Sequence, residues 1–469
     1  MANISDVVTL DATKAFDNES IYASEAMYET LVTSTPDGQH VEPWLASSWD
    51  TSSDNMSLTF HLRPGLKFSN GQVVTAADSK FAIDQCRSPQ SGWSFLDAAI
   101  ASVEAPDAST VVVTTKEPWA PLLADLSVFC NGVVPSNYGG APKRDFYQHP
   151  IGTGPFMFGT WKKGESLQLV RNPNYWQQGK PYLDSVTWTN VTNDNTRSVQ
   201  LKGGQINIDQ YPPFSQINDL KTSPGINVGV FDSTRVQYIW FNLLRAPYSD
   251  VHVRRAIALA LDPSSFVKAI TFEYGKIADS DLPPSLPYYH SIGAAYNLTM
   301  ARQELAQSSV PNGFSTTFMV GSGSQTESLL AQIVQQALKP LGINVQLQII
   351  DPSAETDNLV NGKFDMGTIY LTSDIADPDE DVTATIVKGF GIPGYHPANF
   401  VNLAHEADLT FDKTKRAQLY TEIQQIWAQD RPDVPLFYTP FVYAMSDAVQ
   451  GFHVSPLGIY HLEDVWLSA

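Results

Sequence analysis

The sequence predicts an α/β protein of several lobes, and three observations carry that expectation. Runs with a period of two alternate with runs of helical period along the whole chain. The chain has 469 residues, too many for a single core of ordinary size. No repeat of solenoid period and no low-complexity linker interrupts it, so the lobes are compact rather than strung apart.

The strand-like runs, in order, are Leu58–Leu62, Thr110–Thr114, Leu167–Val170, Val186–Trp188, Val236–Phe241 and Val345–Ile350. Each is rich in β-branched and aromatic residues. Helical runs cover Val253–Ala260, a new start at Asp262-Pro263, where Asp caps and Pro fills the first turn, and Ser328–Leu338. In the last of these, positions 329, 330, 333, 334, 337 and 338 form the expected buried face, before Pro340 and Gly342 end it. A further amphipathic helix spans Arg416–Trp427, with Leu419, Tyr420, Ile423, Ile426 and Trp427 inward. Pro-Gly-rich breaks at Pro150–Pro155 and Asp281–Pro287 mark segment boundaries.

Composition narrows the function. Lys and Arg number 29 against 49 Asp and Glu, a net charge of −20, which argues against nucleic acid or an anionic membrane as partner. No stretch approaches the roughly 20 apolar residues needed to span a bilayer. The N-terminus, Met1-Ala2-Asn3-Ile4-Ser5, lacks a basic and then apolar leader, and the expectation is an exported protein whose signal has been removed. The two cysteines, Cys86 and Cys130, fit no zinc pattern; they are either buried hydrophobes or one disulfide.

Catalytic signatures fail in turn. Gly152-Thr-Gly154 has no third glycine at dinucleotide spacing, Gly321-Ser-Gly-Ser324 is no nucleophile elbow, and His405-Glu406 has no second zincin histidine. No enzyme, no cofactor and no metal site is expected. Asp374, Asp377, Asp379 and Asp381 are dense enough to suggest oxygen ligands for Ca²⁺, but lack the turn glycine and closing glutamate. A solvated acidic turn on Asp377-Pro378, or a ligand-facing Asp374, are the readings left.

Several motifs in register then matter together: Leu58-Thr-Phe-His-Leu-Arg-Pro-Gly-Leu-Lys-Phe-Ser-Asn-Gly71, Thr75-Ala-Ala-Asp78, Ile151-Gly-Thr-Gly-Pro-Phe156, Arg171-Asn-Pro-Asn-Tyr-Trp176, Gly204-Gln-Ile-Asn-Ile208, and Pro247-Tyr-Ser-Asp-Val-His-Val-Arg-Arg-Ala-Ile257. In this order they resemble the family 5 solute-binding proteins of ABC importers, the dipeptide- and oligopeptide-binding class. The resemblance implies a periplasmic-binding-protein-like fold (type II, cluster C), a two-lobe Venus flytrap with an extra inserted domain. It implies domain I from 1-32, 151-244 and 445-469, domain II from 33-150 and domain III from 245-444. It further implies a monomer outside the cytoplasm that closes on a small organic ligand, peptide or oligosaccharide, and delivers it to ABC permease subunits, or else a sensor of the same fold.

The resemblance carries Asp374 over as the partner of a peptide's α-ammonium, and Tyr211 as a cleft tyrosine. Tyr370 and Thr372 share a face with Asp374 if the strand alternates, and Trp93, Tyr238, Trp240 and Phe16 are further candidate lining residues. The chain departs from oligopeptide-binding relatives at Thr368, where they carry an arginine. Residues 351 to 363 contain neither Trp nor Arg, and Gly321–Glu327 has no arginine for a carboxylate. A free peptide C-terminus therefore lacks a partner legible in the sequence.

Overall fold

The computed structural model describes residues 1–294, 296–351, 354–387 and 392–468. The chain divides into two compact units. Unit 1 comprises Met1–Asp232, Asp374–Ala376 and Phe441–Ala469; unit 2 comprises Ser233–Ser373 and Asp377–Pro440.

Unit 1 holds two main sheets. Seven strands run in the order Ile226–Phe231, Phe441–Ser446, Ile208–Gln210, Ala2–Asn3, Ser185–Asn190, Ser166–Arg171 and Phe156–Lys162. Alternation in the middle strands, with Leu167, Leu169, Val186 and Trp188 inward, supplies the core beneath this sheet. A second, four-stranded antiparallel sheet, Ala46–Thr51, Ser57–Leu62, Thr110–Thr115 and Ile100–Glu104, encloses its own core of Phe60, Val111 and Val113.

The motif segments at 58–71 and 171–176 meet as scaffold in unit 1. Arg63 lies 4.7 Å from the ring centroid of Trp176, and Asn174 Nδ2 donates to the Ser69 carbonyl at 3.1 Å. Glu29 sits beneath them, accepting from Trp44, Tyr175 and Trp176 at 2.9, 3.0 and 3.0 Å. Burial pushes its carboxyl up to about 8, against the pull of those donors. Cys86 and Cys130 are joined as a disulfide that ties the helix Ala76–Cys86 to the turn Phe129–Asn131.

Unit 2 is a six-stranded mixed sheet in the order Lys276–Ile277, Asp433–Tyr438, Val236–Phe241, Met366–Leu371, Ser315–Gly321 and Asn344–Ile350. The strand Val236–Phe241 pairs antiparallel on both sides, with Met366–Leu371 and with Asp433–Tyr438. This pairing places the unit boundary at 232/233, ahead of the expected limit at 244, because the strand belongs to the second sheet. At the other end the chain returns to unit 1 at 441 rather than 445.

The predicted helices form, with one rotation of a face. Asp262 caps Pro263–Ile270 by accepting from Ser264 N, and Leu419, Tyr420, Ile423 and Trp427 are buried on Lys413–Asp430. On Gln325–Leu338 the buried residues are Leu330, Ala331, Val334 and Leu338, whereas Leu329 is exposed. The inward stripe is thus narrower than the apolar pattern, as an edge helix over one layer requires.

Candidate functional site

The helix Asn18–Met27 begins at Asp17, whose carboxylate accepts from Ser20 N at 2.8 Å. Its C-terminal end is fixed by the loop at 151–156. Gly154 N donates to the Met27 carbonyl at 2.9 Å, and a Cβ on Gly152 or Gly154 would lie only 2.0 or 2.5 Å from the backbone oxygens of Met27 and Ala26. Those glycines are required for close approach, so a segment read as a boundary sets the position of this helix.

Tyr22 and Glu25, three residues apart, share one side of the helix. Tyr22 and Tyr211 are joined hydroxyl to hydroxyl at 2.6 Å. Tyr211 follows the strand Ile208–Gln210 with φ of +59°, a left-handed backbone that a bulky residue rarely adopts. Its N–H donates to the Val442 carbonyl and its carbonyl accepts from Arg197 Nη2, at 3.1 and 3.3 Å. Local strain held in place by surrounding bonds is a mark of functional positions, and here it aims the ring at Tyr22 and Tyr443.

Asp374 reaches the same unit because the residue after it, Ile375, is fully buried in the core of unit 1. The residue before it, Ser373, is anchored in unit 2, where its carbonyl accepts from Thr234 Oγ1 and its hydroxyl donates to Asp381. Asp374 itself is half-buried. Glu25 lies within its field: burial first, and then the Asp374 charge, push the Glu25 carboxyl up to about 8, with His461 opposing. Burial works to lower the His461 imidazole, yet the hydrogen bond to Glu463 at 2.9 Å and the surrounding carboxylates carry it above its ordinary value. A cavity beside this group is lined by Glu25, Glu29, Trp44, Tyr460 and His461. Two neighbouring carboxyls in partly dry surroundings favour a cation, since a bound ammonium relieves their repulsion and their desolvation together.

The remaining candidates divide between the units. In unit 1 Phe16 is 58% exposed and stacks on Trp93 with centroids 5.7 Å apart. Trp93 itself is buried, its indole N–H held by the Ala15 carbonyl at 2.8 Å, so only Phe16 offers a face. In unit 2 Tyr370 is half exposed and Thr372 half-buried. Tyr238 and Trp240 project from the other side of the sheet, as the pairing Gln237↔Tyr370 and Tyr238↔Ile369 requires. Both are buried, and Tyr238 Oη donates to the Asp281 carbonyl at 2.6 Å, so neither expected lining residue presents an open face.

The acidic run also reads differently in three dimensions. Asp377, Asp379 and Asp381 are buried rather than solvated. Asp377 pairs with both terminal nitrogens of Arg416, one at 2.9 Å, Asp379 accepts from Thr383, and Asp381 from Ser373. Among the described residues no group of three or more His, Cys, Asp or Glu could hold a metal ion. Glu25, Tyr22 and His461 escaped the sequence reading; the i, i+3 spacing of Tyr22 and Glu25 was the available signal.

The family model for bacterial extracellular solute-binding proteins, family 5, matches residues 40–389. The chain belongs to that family. Among curated relatives it is 30% identical to the probable D,D-dipeptide-binding periplasmic protein DdpA of Escherichia coli K12, over 97% of this chain and 90% of that protein. It is 28% identical to the glutathione-binding protein GsiB of Salmonella typhi, over 96% of this chain and 91% of that one. Among solved structures, the DppA periplasmic binding protein of Helicobacter pylori in complex with the peptide STSA superposes with a TM-score of 0.90 at 26% identity, covering 100% of this chain and 97% of that one. AgaA of A. tumefaciens R10 in complex with agropinic acid gives 0.89 at 25% identity, covering 100% and 98%. Members of this family bind solutes for transport and are not enzymes, and the architecture of this chain is that of their periplasmic binding proteins. No helix among the described residues is long and apolar enough to cross a membrane.

Proposed function

We propose that this chain captures a peptide or peptide-like solute carrying a protonated amine outside the cytoplasm, acting as a monomer, and delivers it to the permease subunits of an ABC importer. The observation that carries the reading is the half-buried Asp374 set beside Glu25 among the tyrosines of unit 1. The relatives support the solute class, being named for dipeptides and glutathione. Tyr211 and Phe16 contribute apolar faces within unit 1. Ligand contacts made only in the bound conformer shift the population toward it, which is the state an importer reads.

A second reading keeps the fold and changes the ligand. The agropinic acid complex of AgaA favours a non-peptide acid, and the absence of arginine from 351–363 favours a neutral sugar stacked on Phe16. A thermal-shift screen separates the two, because a ligand of the folded state raises the melting temperature by mass action. Di- to pentapeptides, oligosaccharides, opine-type acids and polyamines form the panel. Shifts with free-amine peptides that vanish on N-acetylation support the amine reading; shifts confined to sugars contradict it.

A further inference from the structure

Unit 2 holds a cavity of about 190 Å³ that shares no residue with the group around Asp374. That is more than the roughly 150 Å³ that admits a benzene ring. The helix Val251–Ala260 turns one face to it, with Arg255, Ala258 and Leu259 at i, i+3 and i+4, and the strand Asp433–Tyr438 supplies Val434 and Leu436. The wall is therefore mostly apolar.

Two half-buried arginines and one aspartate interrupt it. Asp279 is already satisfied, accepting from Tyr289 and Tyr438 at 2.7 and 3.0 Å and from Ser291. The arginines are not. Arg255 Nε donates to the Gln429 carbonyl at 2.8 Å, and its terminal nitrogens have no hydrogen-bond partner among the described residues. The Arg431 guanidinium has none there either; its charge works against the rise that burial gives the carboxyls of Asp281 and Asp433, but it forms no ion pair with them. Arg431 also ends the helix Lys413–Asp430 with φ of +45°, a place that favours glycine. Its N–H donates to the Trp427 carbonyl and its carbonyl accepts from Arg254 Nε, both at 2.9 Å. An arginine held in that conformation suggests a use for its charge. The negative end of this helix is blunted, because the carbonyls of Gln429 and Asp430 accept from Arg255 and Arg254.

We propose that this cavity is a second binding site, for a compact carboxylic acid with an aromatic or branched aliphatic body, whose carboxylate pairs with Arg255 and Arg431. The planar fork of a guanidinium matches a carboxylate, and partial exclusion of water strengthens the pairing. The apolar wall takes up the ring or branched chain, and the few polar groups fix its orientation. A cation would meet two like charges and find Asp279 occupied. The site does not depend on the amine reading above.

The test is calorimetric titration of the full chain with benzoate and 4-methylpentanoate, each beside its neutral amide. At least one acid should bind, about tenfold or more tighter than its amide. Arg255→Gln and Arg431→Gly should each weaken that acid by about tenfold or more. Glycine suits the backbone at 431, so the helix end is kept, and circular dichroism with thermal melting checks that both variants fold. Crystals of the wild type soaked in 4-bromobenzoate give a readout that needs no variant: the anomalous peak of bromine should lie in this cavity. The proposal is overturned if neither acid shows saturable binding, if acid and amide bind alike, if either folded arginine variant binds the acid as the wild type does, or if bromine is found only elsewhere.

Discussion

Asp374 and the three aspartates that follow it come from one stretch of sequence and end in two environments. Asp377, Asp379 and Asp381 are buried in unit 2, each with an internal donor. Asp374, in unit 1, is half-buried, and its charge helps to raise the carboxyl of Glu25. Density of acidic residues thus says little about binding; the burial of each carboxyl and the donors around it set what it can do. The tyrosines repeat the lesson, with Tyr238 committed to a backbone carbonyl and Tyr370 left as an accessible ring.

The comparison can be broken most sharply on the buried side. Arg416→Ala should cost about 3–5 kcal/mol of stability, because it leaves Asp377 charged and unpaired in the interior, and urea denaturation reads the loss. A next, smaller effect concerns pH. Burial raises the carboxyls of Glu25 and Glu29 to about 8 and that of Asp381 to about 7. The folded chain then holds protons that the unfolded chain releases, so stability is greatest below the ordinary carboxyl pKa and falls as pH rises from about 4 to about 8. Asp381→Asn should flatten the lower part of that fall in melting curves taken across the range.

On the exposed side the effects move from stability to affinity. Asp374→Asn should weaken a free-amine ligand by about 1.5–3 kcal/mol while changing the unfolding free energy by less than about 0.5 kcal/mol, measured by titration and denaturation of the same sample. Phe16→Ala, which removes one exposed ring from the stack on Trp93, should cost stability less than about 1 kcal/mol. A larger affinity loss for sugars than for peptides in that variant would shift weight to the aromatic reading.

Much of the fold was legible because periodicity and turn chemistry act locally. The strands at 58–62, 110–114, 167–170 and 345–350 announce themselves by alternation, and Asp262-Pro263 by capping. Boundaries between units were harder: Val236–Phe241 is a good strand anywhere, and only its two partners show which sheet owns it. The site was legible only in part. Asp374 and Tyr211 stood out through motif context, but Glu25 is an ordinary helical acid until residues 374–376 fold against the same unit, and the Arg235 guanidinium meets Thr372 and Tyr370 only when a distant strand is brought across. Both depend on contacts of long sequence separation, which no local pattern encodes.

The most direct test of the central claim is a double-mutant cycle by isothermal titration, combining Asp374→Asn with N-acetylation of a dipeptide that binds the wild type. If Asp374 holds the ammonium, each change alone weakens binding by about tenfold or more and the second adds little to the first, since both remove one interaction. Full additivity, or an Asp374→Asn protein that still distinguishes free from acetylated peptide as the wild type does, would contradict the account.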